Sequence, residues 1–551
     1  MNTLLRPSTI ASLSTIALFA STGCPSCDSS SEDGDPFIVT TLADVVDSAD
    51  DEVSLREAVT SALEADGATV TFADDLEGVI ALDSPLQVEG GKDLIVQGPM
   101  DRTISLSGGK AHPIVIIDGV ESTFANLSFV DGAAPDVSLD AGGAIAIGAG
   151  KLDISSCVFT NNTHSYANSG GGGAIASEGD ADITITDSSF TGNTSTTRGG
   201  AIWSVGSGKL TVSNSTFEQN GPVSQEEVWG GAIYHSAGDL EVSDSTFDGN
   251  SATRGAIALE MNGGNASIST SAFRNHEGAN IGAALFVQRG SNGSEALTVR
   301  VEESTFEKNS TVGGSGGGAI ASLGADVTLE VVSSTFSENV NQGDGSSGGA
   351  IYATSSLQVE DSSFTKNTAL TGSGGAIGFG GLSADVSFSL VKGTFSENQA
   401  LYGGAISTST GGVTIAEASF TNNSALTDNG EGGALLLGSA STIMLTKLTL
   451  TGNSAGRRGG AIRVSADASL AECTLSQNTA LDGGAISQAD GNTLTIGAGT
   501  SITGNSATRM PYNPDTQKIG GGVCNDGEVV LSGGTVSGNS PDDFCSPDRV
   551  K

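Results

Sequence analysis

Histidine and tryptophan, two residue types that often mark catalytic or sugar-binding sites, are few in this chain and share no repeat position. The four histidines lie far apart in sequence, and we expect them in solvent-facing loops; they are His112, His164, His235 and His276. Two tryptophans, Trp203 and Trp229, could hold a sugar ring or serve only in packing. The sequence contains no nucleotide-binding glycine loop, nucleophile elbow, zinc-ligand spacing or calcium-binding loop. It therefore predicts no catalytic residue, no cofactor and no metal ligand.

Acidic residues are too numerous for paired carboxylates to be informative. The chain has 63 Asp and Glu against 23 Lys and Arg, which gives a formal net charge of −40. A glycoside hydrolase needs two carboxylates beside a cleft, and a polysaccharide lyase needs an acidic cluster with a basic side chain. Four arginines before glycine-rich segments are candidates for that base or for exposed loop charges: Arg198, Arg254, Arg457 and Arg458. A carbohydrate-active enzyme therefore stays open as an alternative.

The composition excludes several classes of protein. A net charge of −40 argues against nucleic-acid binding through a basic face and against adsorption to anionic membranes. Glycine, at 79 of 551 residues, is about twice as frequent as the usual ~7%. Because proline is rare, at 12 residues, the glycine excess indicates neither collagen nor a disordered linker.

The N-terminus has the features of an export signal. Arg6 precedes an apolar run over 10–20, which is too short to span a bilayer but typical of a signal peptide. We therefore predict that 1–23 are a signal peptide.

The residues that follow suggest a lipid anchor. Ser21-Thr22-Gly23-Cys24 resembles the lipobox of bacterial lipoproteins, which implies that Cys24 is acylated. Residues 24–36 are rich in Ser and Asp, a composition typical of a flexible tether. The alternative is an ordinary secretory signal with a local disulfide between Cys24 and Cys27.

Two short signatures alternate over 142–540. The first is a Gly-Gly-Ala-Ile/Leu tetrad or a degenerate version of it, repeated every 29 or so residues. The tetrads begin at Gly142, Gly172, Gly199, Gly230, Arg254, Gly282, Gly317, Gly348, Gly374, Gly403, Gly432, Gly459, Gly483 and Gly521. The second signature, Phe-x-x-Asn, follows each tetrad, with Leu, Ile or Val replacing Phe in the last four units. One unit has His276 in place of Asn.

This spacing predicts a stacked coil of short strands. Leu210 and Val212 alternate as on a strand, and Ser215 and Phe217 share a face after a two-residue bend. One similar side chain in every unit is explained if each coil returns above its own start, at the ~4.8 Å spacing of paired strands. We therefore predict an all-β parallel β-helix, a solenoid about 65 Å long or more.

The signature residues then have mechanical roles. We expect Phe to stack inward, Asn to form an amide ladder at a turn with left-handed backbone, and the paired glycines to allow close backbone approach. Cys157 and Cys473 replace small residues two positions before the stacked apolar residue, so we expect both to be buried. Cys524 and Cys545 bracket the C-terminal end and are a candidate disulfide.

Residues 37–141 are predicted to cap the solenoid and to form its first, irregular coils. Ser54 and Glu57 form a capping box at the start of an amphipathic helix over 54–66. Strand-like runs follow the helix, at Ala68–Phe72, Val79–Leu82, Leu86–Val88, Leu94–Gln97 and Ile114–Ile117.

The cap and the repeats resemble two known modules. Ser54-Leu55-Arg56-Glu57-Ala58 resembles the CSLREA-type N-terminal module of bacterial surface proteins, with Val53 in place of its Cys. The alternating signatures over 142–540 resemble the polymorphic outer membrane protein repeat. This resemblance implies a right-handed β-helix of the pectin-lyase-like superfamily, displayed on a surface or secreted, with an adhesin-like role. Residues 541–551 are a tail.

We therefore expect a non-catalytic bacterial surface or secreted protein. The anchor at Cys24 would place it at the outer membrane, with no other membrane contact, and without the anchor it would be extracellular. Its partner would be a surface ligand, protein or polysaccharide, and it would act as a monomeric rod. The alternative is a polysaccharide lyase or hydrolase of the pectin-lyase-like superfamily.

Overall fold

A computed structural model shows a solenoid made almost wholly of short β-strands. The residues that it describes are 35–47, 49–65, 67–90, 92–134, 142–166, 170–222, 228–293, 295–314, 316–345, 347–381, 385–426, 428–438, 443–508 and 519–551. The predicted signal peptide, Cys24, Cys27 and most of the predicted tether lie outside them. The chain winds as a right-handed parallel β-helix of about 15 turns, as predicted.

Each regular coil contributes one strand to each of three long sheets. The tetrad sheet has 17 strands, and in the regular coils its strand begins at the last residue of the Gly-Gly-Ala-Ile tetrad. They are Leu86–Glu89, Val115–Asp118, Ile145–Ile147, Ile175–Ser177, Ile202–Ser204, Ile233–His235, Ile257–Met261, Leu285–Arg289, Ile320–Leu323, Ile351–Ala353, Ile377–Phe379, Ile406–Thr408, Leu435–Leu437, Ile462–Val464, Ile486–Gln488, Gly520–Asn525 and Asp542–Phe544.

The central sheet follows the tetrad sheet along each coil and has 18 strands. They are Ile38–Val39, Thr69–Phe72, Leu94–Gln97, Val120–Ala125, Gly150–Ser155, Asp182–Thr186, Leu210–Ser213, Leu240–Ser243, Ala266–Ser269, Leu297–Glu302, Val327–Val332, Ser356–Glu360, Ser387–Val391, Gly412–Ala416, Ile443–Thr446, Ala468–Ala471, Thr493–Gly497 and Glu528–Ser532. Alternate residues of these strands are buried, as in Leu210 and Val212.

The phenylalanine sheet comes next and has 17 strands. They are Gly78–Ala81, Ile104–Ser107, Ser128–Val130, Val158–Thr160, Ser189–Thr191, Thr216–Glu218, Thr246–Asp248, Ala272–Arg274, Thr305–Glu307, Thr335–Ser337, Ser363–Thr365, Thr394–Ser396, Ser419–Thr421, Thr449–Thr451, Thr474–Ser476, Ser501–Thr503 and Thr535–Val536.

A narrow asparagine strip closes most coils. It follows the Phe-x-x-Asn signature and comprises sheets of 4 and 10 strands. They are Ala133–Ala134, Thr163–His164, Thr194–Ser195, Gly221–Pro222, Ala252–Arg254, Glu277–Ile281, Ser310–Thr311, Val340–Asn341, Thr368–Ser373, Gln399–Tyr402, Ser424–Ala425, Ser454–Ala455, Thr479–Ala480 and Ser506–Ala507.

Equivalent side chains stack directly on one another, as the repeat spacing predicts. Phe190, Phe217 and Phe247 occupy the same register position on neighbouring strands. Consecutive ring centroids in the phenylalanine ladder are 4.6–4.9 Å apart, with planes within 12° of parallel. This separation matches the spacing of paired strands, so backbone pairing and core packing impose the same repeat on the rings.

The asparagines form the predicted amide ladder, with one difference in backbone geometry. The Asn220 side-chain amide donates to the Phe190 carbonyl at 2.9 Å and to Asn250 Oδ1 at 2.9 Å. The left-handed backbone, however, belongs to the residue before each ladder asparagine, such as Gln219 with φ of 53°. The ladder asparagine points inward and satisfies buried backbone groups, which is a different task from making the turn.

The paired tetrad glycines have distinct roles. Gly199, the first of its pair, has φ of +64°, a conformation that costs glycine little. Gly200, the second, lies so close to the next coil that a Cβ atom would be 2.0 Å from the Gly231 carbonyl oxygen. The pair therefore allows a sharp corner and close stacking of coils.

One helix covers the N-terminal end of the core. Helix α1 spans Leu55–Glu64, and Ser54 and Glu57 form the predicted capping box. Its apolar face is buried, including Leu55 and Val59, which belong to the same core as the first strands. Burying this face removes the open end of the solenoid from water.

The C-terminal end is closed by strand pairing. Within 541–551, predicted as a tail, Asp542–Phe544 pairs with Gly520–Asn525 and a 3-10 helix spans Pro547–Arg549. A disulfide joins Cys524 to Cys545 across this last coil. The final ladder amide, Asn539, donates to Asp543 Oδ1 at 2.9 Å, so a carboxylate ends the amide ladder.

Candidate functional site

The outer face of the tetrad sheet carries an apolar cluster that is separate from the solenoid core. Side chains alternate along a strand, so the residue after each tetrad isoleucine points outward. We call this the outer cluster; its buried members are Ala176, Trp203, Tyr234, Ala258, Ile281, Phe286 and Ala321. Trp229 packs against it and is partly exposed. Of the aromatic residues named here only Trp229 is partly exposed, so the edge of the outer cluster at Trp229 is the candidate contact surface.

A cation and aromatic stack runs along the edge of the outer cluster. Arg198 and Trp229 immediately precede successive tetrads, Arg254 is the first residue of the next, degenerate tetrad, and the three are joined by parallel bridges. The guanidinium carbons of Arg198 and Arg254 lie 5.1 and 4.1 Å from the Trp229 ring centroid. Because they belong to the coils on either side, one guanidinium covers each face of the indole. A sugar therefore has no free face of Trp229 on which to stack, and packing explains both tryptophans.

A hydrogen-bonded chain links Arg198 to the next two coils. Arg198 Nη1 donates to the Tyr234 hydroxyl at 2.7 Å, and that hydroxyl donates to Glu260 Oε2 at 2.7 Å. Arg198 also lies 3.5 Å from the Glu260 carboxylate. Burial raises the pKa of Tyr234 above its usual value, and the hydrogen bond to Glu260 adds to the rise. The tyrosine is therefore a neutral positioning group at pH 7.

A second basic cluster lies toward the C-terminal end of the same face. Arg457, Arg458 and Arg463 approach the Glu431 carboxylate at 3.5, 3.7 and 3.5 Å. Arg463 is buried, and its Nη1 donates to Ser487 Oγ at 2.9 Å. Burial lowers the pKa of Arg463, and repulsion from the other two arginines acts in the same direction. The four candidate arginines are thus not simple loop charges, because all of them pack or pair on this face.

The expectation that the histidines face solvent is wrong for three of them. His164, His235 and His276 are buried, and only His112 is partly exposed. His235 Nδ1 contacts Ser204 Oγ at 3.2 Å inside the coil. Sequence spacing could have located His276, because it occupies the ladder position of an asparagine. Each buried histidine stands at a different place in its coil, and in the described residues no three His, Cys, Asp or Glu side chains form a metal-binding group.

His276 interrupts the amide ladder. Its Nδ1 accepts from the Asn250 backbone N–H at 3.0 Å, but its Nε2 is buried without a hydrogen-bond partner. Burial lowers the pKa of His276 to about 4, and His235 is affected in the same way and to the same value. Below the unfolded-state pKa of ~6.5 the unfolded chain binds more protons than the folded one, so stability falls as pH drops from about 6.5 to 4.

We predict that His276→Asn stabilises the protein by about 1–3 kcal/mol, because it removes the unpartnered nitrogen and restores the amide ladder. It should also reduce the loss of stability between pH 7 and pH 5. Denaturant unfolding at both pH values measures these effects, with His112→Asn as the control at a partly exposed histidine. Equal stability and an unchanged pH dependence would contradict the prediction.

The cysteines in the repeats are buried within the core. Cys157 and Cys473 are both free thiols, and burial raises the pKa of Cys157 to about 12. Since the thiolate is the reactive form, we predict that neither thiol reacts with an alkylating reagent in the folded protein. Mass spectrometry after alkylation of a Cys24→Ser, Cys27→Ser chain should find two modified thiols only after denaturation. Labelling of either thiol at the rate of a free cysteine would contradict this.

Two family models match the chain. The right handed beta helix region matches 113–295. The Chlamydia polymorphic membrane protein repeat matches 361–379, a segment that holds Phe364, Asn367 and the tetrad beginning at Gly374. Neither the curated proteins nor the solved structures include a significant match. Within the described residues, no helix has the length and apolar character needed to cross a bilayer.

The matched segments and the structure agree. The β-helix match covers coils with the same three sheets as the rest of the solenoid. The repeat match contains Phe364, which is part of the phenylalanine ladder, and Asn367, which is part of the amide ladder. This protein is a right-handed parallel β-helix, and its segment 361–379 matches the Chlamydia polymorphic membrane protein repeat.

Proposed function

We propose that the protein is a non-catalytic rod displayed on the bacterial surface, anchored through a lipid on Cys24 and binding a surface ligand in an adhesin-like manner. The polymorphic membrane protein repeat supports an outer-membrane or surface location. The sequence signal preceding Cys24 supports the anchor, although it lies outside the described residues.

The observation that carries an interaction role is the outer cluster with its arginines. Inside the solenoid, the repeated phenylalanines, asparagines and glycines have structural partners on the neighbouring coils. On the outer face, the bridged position varies in residue type from coil to coil, and Arg198, Trp229 and Arg254 place long basic and aromatic side chains there on three successive coils. Aromatic residues and arginine are also the residue types enriched where proteins bind partners.

Protease treatment of intact cells tests the surface location. A displayed rod should be cleaved before lysis, whereas a periplasmic marker stays intact. Protection of the rod until lysis would contradict the proposal.

Palmitate labelling tests the anchor. The wild-type chain should incorporate label and fractionate with membranes, and Cys24→Ser should do neither. Absence of label from the wild type would contradict lipidation, and the protease result would still report on location.

A polysaccharide lyase or hydrolase is the second candidate. The convergence of Arg457, Arg458 and Arg463 on Glu431 favours it, because such enzymes combine acidic and basic groups at one groove. Incubation with acidic polysaccharides tests this, with unsaturated or shortened products as the readout. Products that disappear in Glu431→Gln would overturn the non-catalytic assignment.

A further inference from the structure

Among the residues that the structure describes, Arg254 is a guanidinium without a counter-ion, although the protein is strongly acidic. Every other arginine in the described part of the chain lies within 4.0 Å of a carboxylate; they are Arg56, Arg102, Arg198, Arg274, Arg289, Arg300, Arg457, Arg458, Arg463 and Arg549. With 63 acidic residues against 23 basic ones, most basic side chains are expected to have a carboxylate nearby. Arg254 therefore differs from the other described arginines in lacking a carboxylate partner.

The aromatic rings around Arg254 hold it in place. Its guanidinium carbon lies 4.1 Å from the Trp229 ring centroid and 5.3 Å from that of Phe286. Its Nε is buried and has no hydrogen-bond partner, and no side-chain hydrogen bond involves its terminal nitrogens among the described residues. A guanidinium stacked through its face keeps its N–H edge available, and that edge matches the two oxygens of a carboxylate.

The neighbouring charges permit an anionic ligand. Glu260 lies on the same coil, but its charge is offset by Arg198 at 3.5 Å and by the hydrogen bond from Tyr234. Arg198 is engaged by these groups and lies two coils from Arg254, about 10 Å away at the spacing of paired strands. Among the described residues around the outer cluster, a single carboxylate therefore has one available partner, which is Arg254.

We propose that Arg254, held between Trp229 and Phe286, binds the carboxylate of a ligand that carries a single negative charge, such as an acidic sugar. This inference deepens the proposed interaction role and rests on it. A single charge is favoured because the −40 rod repels polyanions at long range. The partly exposed Glu260 carboxylate on the same coil can accept hydrogen bonds from a ligand that also bears hydroxyls.

The protein contains its own reporter for this site. Both tryptophans of the chain, Trp203 and Trp229, belong to the outer cluster or pack against it. A ligand that draws the Arg254 guanidinium edge toward itself changes the environment of the Trp229 ring. Intrinsic tryptophan fluorescence during titration with glucuronate should therefore change and saturate, while titration with glucose should not.

Variants assign the response to Arg254. Arg254→Gln should weaken glucuronate binding tenfold or more, and Arg254→Lys should fall between it and the wild type because it keeps the charge but loses the bidentate edge. Arg300→Gln, at an arginine paired with Glu302 and Glu330, should bind as the wild type does. Thermal unfolding of each variant checks that the rod is intact.

Three outcomes would overturn the assignment. They are no saturable response to glucuronate, equal affinity in Arg254→Gln and the wild type, and a response to inorganic sulfate without one to glucuronate. None of them bears on surface display, which protease treatment of intact cells reports separately.

Discussion

Gly349→Ala should destabilise the solenoid by about 4 kcal/mol or more, or prevent the coils around it from stacking. A Cβ atom at this position would lie 2.0 Å from the Gly375 carbonyl oxygen and 2.6 Å from backbone atoms of Thr368. All of these are backbone atoms, Gly375 on the next coil and Thr368 on the strip that closes the same coil, so no side-chain rotation relieves the clash. Denaturant unfolding and amide hydrogen exchange across 340–380 measure the effect.

Gly263→Ala is the matched control for this substitution. No heavy atom lies within 4 Å of a Cβ built on Gly263, and its backbone is not left-handed. We expect its stability to stay within about 0.5 kcal/mol of the wild type. If the two alanine variants behave alike, close coil stacking does not explain the second tetrad glycine.

Asn339→Ala should cost about 3–5 kcal/mol, because the side chain satisfies groups on both the preceding and the following coil. Its amide donates to the Phe306 carbonyl at 2.9 Å and to Asn367 Oδ1 at 2.9 Å. Its Oδ1 accepts from the backbone and side-chain amides of Asn309, at 3.1 and 2.9 Å. Alanine removes these four hydrogen bonds, and water cannot easily replace them in the tightly stacked coils.

Hydrogen exchange locates the damage, because a solenoid opens locally rather than all at once. Amides on the coils of Asn309 and Asn367 should exchange faster than those of distant coils. Asn292→Ala, at an exposed loop position, is the control and should change little. A uniform and small effect in Asn339→Ala would mean that the amide ladder contributes little to stability.

The sequence was sufficient for the architecture because each coil uses the same residue for the same task. Phe217 recurs as Phe190 and Phe247, and only stacking in register explains one such side chain per unit. Burial of Cys157 could be predicted for the same reason, since it follows from the position of this residue within a unit. The capping box at Ser54 could be predicted from local helix geometry.

Residues that depart from the repeat could not be interpreted in this way. His235 is buried because it points into the coil at the end of a tetrad strand, whereas its residue type favoured a loop. The left-handed turn falls on the residue before each ladder asparagine, such as Gln219, because the asparagine itself is needed inside.

What the sequence alone determined is therefore the ladder: the period places phenylalanine on phenylalanine and asparagine on asparagine, because strand pairing brings equivalent positions to the same height. What only the tertiary structure decided is the outer face. There, the outward side chains of the tetrad-sheet strands lie beside the bridged residues at the start of the tetrads. That arrangement brings Arg254 against both Trp229 of the preceding coil and Phe286 of the following one. Such contacts depend on how the two segments fold over each other, and no periodicity in the sequence encodes them.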